Sequence, residues 1–160
     1  MNPVLEAPSA GPGTRQPGAL ARILEVARGR RIALAPHTTL DLVEHPVAVR
    51  VPGAAAHVHG LLSWHGKRIP YIDVDALLRG APAARTPARY ALVVAFQPAP
   101  GAAIEQGAIA LLALPESIQI SDSQGCKLPA DRLVEASLAL ACFDLNGEPV
   151  AIFDTAQLFR

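Results

Sequence analysis

The chain has 160 residues, with fourteen basic and fourteen acidic side chains, so its formal charge is zero and its pI is near 7. That balance speaks against a nucleic-acid binder, which draws most of its affinity from a basic face. No apolar run approaches the roughly 18–20 residues of a bilayer span, which speaks against direct membrane insertion.

From the N-terminus, residues 1–19 are rich in Pro and Gly with almost no large side chains, and read as a flexible tail. The segment has neither a basic start nor an apolar core, so no secretory leader is expected and the location expected is cytoplasmic. Residues 20–160 read as one domain. "RILEVA" and "RIALAP" flank "RGR" as a hairpin, and "TTLDLVEH" reads as a short helix capped by Thr38. "HVHGLLSW" and "KRIPYIDV" join through His65-Gly66, and "DALLRG" is a short helix ended by glycine. A Pro/Ala/Arg-rich break over 79–89 precedes "RYALVVAF" and "GAIALLAL", which Gln97–Gly107 connects as a long hairpin loop. "SLALACFDL" and "EPVAIFD" meet at Asn146-Gly147, the strongest short hairpin signal, and "DTAQLFR" closes the chain. Cys126 and Cys142 form no C-x-x-C and read as small hydrophobes.

The chain repeats itself. "GLLSWHGKRIPYIDVDALL" lies over "ACFDLNGEPVAIFDTAQLF" without a gap, so that Gly66 falls on Gly147, Asp73 on Asp154 and Leu77 on Leu158. Each copy reads as strand, glycine turn, strand, aspartate, helical turn, with the aspartate placed to cap. Two half-barrels of similar build, breaking near 79–89, are the expectation.

Val51–Leu78 resembles the signature of the CheW-like domain. Gly60, Gly66, Pro70, Asp73 and Leu77 stand where that pattern places a glycine strand, a glycine turn and an apolar-Pro-apolar-apolar-Asp-Leu run. "DLNGEPVAIFDTAQLF", with Gly147 and Asp154, is similar to the family's ending, and the resemblance covers about residues 22–160. It implies a mainly β fold of two small five-stranded SH3-like barrels around a shared core, with few short helices. It also implies a non-catalytic adaptor without cofactors. Its partners would be the regulatory domain of a CheA-type histidine kinase and a chemoreceptor cytoplasmic tip, in chemotaxis or type IV pilus signalling. Partner contacts are expected at Leu42, Val43, His59 and His65. The chain departs from the family at His65, where an arginine is usual, and at Leu114-Pro115, where a Val-Asp pair is common.

The competing reading is a metal-dependent β-barrel enzyme. His57 and His59 are two apart, which on a regular strand puts both imidazoles on one face. His65 or Asp73 would then supply a third ligand. Against it, His65 falls in a turn and no partner orients the imidazoles. No serine sits in a G-x-S-x-G context and no glycine-rich phosphate loop appears, so nucleophilic catalysis and nucleotide binding are unsupported.

Overall fold

In a computed structural model, residues 18–160 are described. The sequence expectation of a tail over 1–19 therefore lies outside them except at its end. There Ala19 opens a strand and pairs with Ile120, so the folded part begins one residue earlier than expected.

Eleven strands curl into two sheets. The strands are β1 (Ala19–Ala27), β2 (Arg30–Leu34), β3 (Thr39–Glu44), β4 (Ala48–Val49), β5 (Val58–Trp64) and β6 (Lys67–Ile72). There follow β7 (Tyr90–Phe96), β8 (Glu105–Leu111), β9 (Glu116–Ile120), β10 (Ala139–Leu145) and β11 (Glu148–Phe153). Three short α-helices lie among the described residues: α1 (Val74–Arg79), α2 (Leu133–Leu138) and α3 (Thr155–Leu158). The first sheet has the order β10-β11-β2-β1-β9 and the second β3-β7-β8-β6-β5-β4. The expected pair of five-stranded barrels is present, with the two-residue β4 added to the second.

The repeat is deeper than the aligned hairpins. In both sheets the hairpin that carries the glycine turn joins a second hairpin through a parallel pair, Tyr71 opposite Ala108 and Ile152 opposite Ala33. Both hairpins carry an irregularity at the same place, between Val58 and Gly60 and between Ala139 and Ala141. Both close with an equivalent bond: the Asp73 amide donates to the His57 carbonyl at 2.9 Å, and that of Asp154 to Leu138 at 3.0 Å. The turns match as well, with positive φ at His65 (47°) and Gly66 (74°) and at Asn146 (53°) and Gly147 (86°), as type I′ requires.

The halves are nevertheless interleaved, and the break near 79–89 does not separate them. Strands β5 and β6 before it and β7 and β8 after it share one sheet. The chain changes sheet between β2 and β3, and again between β8 and β9, so the first barrel takes the β1–β2 hairpin from the first half of the sequence and the second takes β7–β8 from the second half. The helices cross over too: α1 follows β6 and lies against β1, while α3 follows β11 and lies against β7.

This exchange explains the apolar runs. Leu24, Leu34, Leu92, Ile109, Phe153 and Leu158 meet in one core between the sheets. The alternate residues point into the barrels, Ala91, Val93 and Ala108 with Tyr71 in one, Ile23, Ala33 and Val150 with Phe143 in the other. Strands buried on both faces need no polar alternation, which is why "YALVVAF" reads as continuous. Each large side chain so buried contributes about 1.5–3 kcal/mol.

One expected element is corrected. "TTLDLVEH" is not a helix: only Pro36–Thr38 makes a single 3-10 turn, and Thr39–Glu44 is β3, paired antiparallel with β7. The Thr38 hydroxyl donates back to the Ala35 carbonyl at 2.7 Å and caps nothing. Pairing with a central strand outweighs a local cap worth about a kcal/mol.

Candidate functional site

The β5–β6 hairpin carries most of the sequence-selected residues, and its geometry begins at Gly60. That residue has φ 141°, and a Cβ there would lie 2.1 Å from the Val49 carbonyl oxygen. Glycine therefore lets β4 close onto β5 as the extra strand of this barrel. Pro70 pairs opposite Leu61, one residue before the parallel ladder to β8 begins, so its missing N–H falls outside that ladder. Leu77 is half-buried against the shared core.

At the end of the hairpin Asp73 caps α1, accepting from the Ala76 amide at 2.9 Å, and α1 ends at Gly80 in the left-handed conformation. Its second oxygen accepts from the Ala84 amide, also at 2.9 Å. Asp154 caps α3 through one bond, from the Ala156 amide at 3.0 Å. The capping role read from the sequence is therefore seen at both aspartates, and Asp73 has a second job of holding the following loop.

The two histidines of the metal reading behave differently from each other. The irregularity between Val58 and Gly60 interrupts the alternation that would have aligned them. The His59 ring stacks on Tyr71 with centroids 4.7 Å apart, and its Nε2 stands 4.0 Å from Asp73 Oδ2. Burial holds this imidazole below its ordinary pKa of 6.5, with Asp73 opposing and Arg50 adding to the effect. Burial also pushes the Tyr71 hydroxyl up to about 12. Among the described residues no three His, Cys, Asp or Glu side chains gather as a metal site would require.

The hairpin tip makes a surface cluster that sequence reading did not find. The Trp64 indole donates to Asp41 Oδ2 at 2.9 Å, and His65 Nε2 lies 3.6 Å from the same oxygen. The Trp64 and His65 rings lie 4.3 Å apart. The indole bond, followed by the Leu42 amide, holds the Asp41 carboxyl below its usual range. Since β3 and β5 stand near opposite edges of the second sheet, this contact closes the barrel. His65 is 70% exposed at its side chain, whereas Leu42 and Val43 are half-buried on β3, packed against the two cores. The cluster has no local signal at Asp41, because Trp64 and His65 lie 23 and 24 residues away.

Below β5 lies an open cleft of about 590 Å³. Its walls are the segments around Pro46–Val51, Ala54–His59 and Pro82–Ala88, with Tyr71 at the base. The first barrel closes instead through Gly125 bridged to Phe143 and the Gln124 amide donating to the Asp144 carbonyl at 3.3 Å. There Cys126 and Cys142, unrelated in sequence, come together with Sγ atoms 2.7 Å apart. Burial and the neighbouring thiol push Cys142 up to about 12, so it is poorly ionised near neutrality.

Residues 15–160 match the family described as the CheW-like domain. The chain belongs to that family. No curated protein matches it in sequence. Among solved structures this CheW-like chain is similar to the scaffolding protein TtCheW from Thermoanaerobacter tengcongensis. The TM-score is 0.72 at 16% identity, covering 90% of this chain and 94% of that one. At that identity the likeness speaks for the fold: two curled sheets, mostly strand, with few short helices. No helix among the described residues is long and apolar enough to cross a membrane.

Proposed function

We propose that this CheW-like chain is a non-catalytic adaptor that couples a chemoreceptor cytoplasmic tip to the regulatory domain of a CheA-type histidine kinase, in chemotaxis or in a type IV pilus array. The observation that carries the reading is the family match across nearly the whole chain. The exposed Trp64–His65–Asp41 cluster supplies the surface. An aromatic ring beside an exposed ionisable pair, held on a stiff hairpin, is the kind of anchor on which interface energy concentrates. His65 stands where the family has arginine and pairs with Asp41 through one nitrogen, so its contacts are less directional than a guanidinium fork. Leu42 and Val43 support this surface from β3 more than they present it, and His59 belongs to the cleft.

Calorimetric titration of the full chain with a CheA-type regulatory domain, and with a receptor tip fragment from the same genome, tests the proposal. Saturable binding to both is expected, weakened tenfold or more by Trp64→Ala, with a smaller loss for His65→Ala. Binding to neither would overturn the adaptor reading.

A further inference from the structure

The cleft under β5 covers a position whose equivalent in the other barrel is exposed, although the strands around it match. Position 59 corresponds to Leu140 in the repeat, and Leu140 is 68% exposed on an open surface. In the second barrel the same irregularity is covered by two extra segments, and three contacts fix them. The Val49 carbonyl closes on Gly60, the Ala83 amide donates to the Ala56 carbonyl at 2.8 Å, and the Ala84 amide donates to Asp73 at 2.9 Å. The walls are thus tied to the barrel and to each other before anything binds, which lowers the ordering cost of a ligand.

Charge decides what the cleft favours. Its lining contains Arg50 and Arg85 and no acidic side chain. Arg30, Arg31, Arg79 and Arg132 each pair with a carboxylate, while Arg50 and Arg85 pair with none among the described residues. Asp73, the nearest carboxylate, has both oxygens committed to backbone amides. The cleft that Arg50 and Arg85 line also has alanine and proline walls and the stacked His59–Tyr71 pair. The volume falls within the roughly 300–1,000 Å³ of small-molecule sites, and the lining is mixed, with polar and apolar surface in near-equal measure, which suits a charged headgroup on a short apolar body.

We infer that this cleft binds a small organic anion, a carboxylate or phosphate monoester with a short apolar or aromatic body. Its headgroup is held by Arg50 and Arg85, and its body lies over the Tyr71–His59 face. The site is independent of the adaptor reading, because none of its lining belongs to the Trp64–His65–Asp41 cluster.

The test is an amide chemical-shift titration of the full chain with benzoate, with phenyl phosphate and with uncharged benzamide. Saturable shifts confined to 46–60, 82–88 and the surroundings of Tyr71 are expected for at least one anion, with benzamide at least tenfold weaker. The better of the two anions identifies the headgroup. The double variant Arg50→Ala/Arg85→Ala should lose binding tenfold or more. Both residues are exposed, so the variant should fold, and an unchanged spectrum elsewhere checks it. Arg28→Ala, an exposed charge at the β1–β2 turn, should bind as the parent does. Equal binding of benzamide, shifts scattered outside the cleft, no saturation, or full affinity in the double variant would each overturn the inference. None of these outcomes would alter kinase or receptor binding.

Discussion

The hairpins β5–β6 and β10–β11 are one structure written twice, and what separates them is informative. They share the irregular second position, the left-handed turn, the parallel partner and the capping aspartate. They differ in what is laid over that frame. One has an extra strand, a cleft and an aromatic cluster at its tip; the other has a cysteine pair and an open Leu140. Shared features answer to folding. The unshared ones are where a surface acquires a use, since no packing demand of the frame calls for them.

Gly60→Ala attacks the comparison where it is sharpest. A methyl group there meets backbone at 2.1 Å with φ positive, whereas at Gly147 it meets nothing within 4 Å. Urea unfolding should show a loss of roughly 2–5 kcal/mol for Gly60→Ala. Gly147→Ala should lose only about 1–2 kcal/mol from its left-handed backbone. Equal losses would mean that β4 does not close onto Gly60.

The aspartates come next. Asp73→Ala removes a cap and strands a second amide, about 2–4 kcal/mol in the same assay. Asp154→Ala removes one bond, about 0.5–2 kcal/mol. Asparagine sharpens the contrast. At 154 it still accepts its single amide, so most stability should return. At 73 one of its two ends must present N–H to a donor, so much of the loss should remain.

The smallest effect is the pH dependence of His59. Its folded pKa lies below the ordinary 6.5 because of burial. As pH falls below about 6.5 the unfolded chain takes up a proton that the folded chain resists. Stability contributed by the neutral imidazole is therefore full above that pH and declines below it, by at most about 1.4 kcal/mol per pH unit. His59→Gln should flatten unfolding free energy between pH 7 and 5.5 relative to the parent. Leu140→His, which places an imidazole at the exposed equivalent position, should add no such slope. A parent curve already flat over this range would show that His59 charges freely in the fold.

Much of this frame could be read from residues alone, because it is encoded locally. His65-Gly66 and Asn146-Gly147 declare their turns, the aspartates precede helical turns, and the two copies align without a gap. Strand exchange has no local signal. Nothing in "TTLDLVEH" says that it will pair with a strand fifty residues later, and its Thr-x-x-Asp pattern imitates a helix start. Asp41 and the cysteine pair were missed for the same reason, since their meaning depends on partners brought close by barrel closure. The cleft was partly visible: His59 stood out in the sequence, but as one of two ligands rather than as a ring stacked on Tyr71. The irregularity before Gly60 made the difference, and a regular alternation cannot anticipate it.

The exchange of the β1–β2 and β7–β8 hairpins between the halves also sets a timetable for synthesis. The first hairpin, β1–β2, finds its neighbours only in β9 and β11, the latter ending at Phe153. At roughly 5–20 residues per second, those partners emerge about 6–25 seconds after the hairpin itself. The second sheet, β3–β8, is contiguous in sequence and can assemble in that interval. The nascent chain would thus carry a finished barrel beside a waiting hairpin, whose apolar Leu24 and Leu34 face the unfilled core. Pairing across so long a loop is slow to nucleate, and an unpaired edge in the meantime invites other strands. Early truncation should therefore yield aggregating fragments, while removal of the exposed Arg160 alone should leave the fold intact.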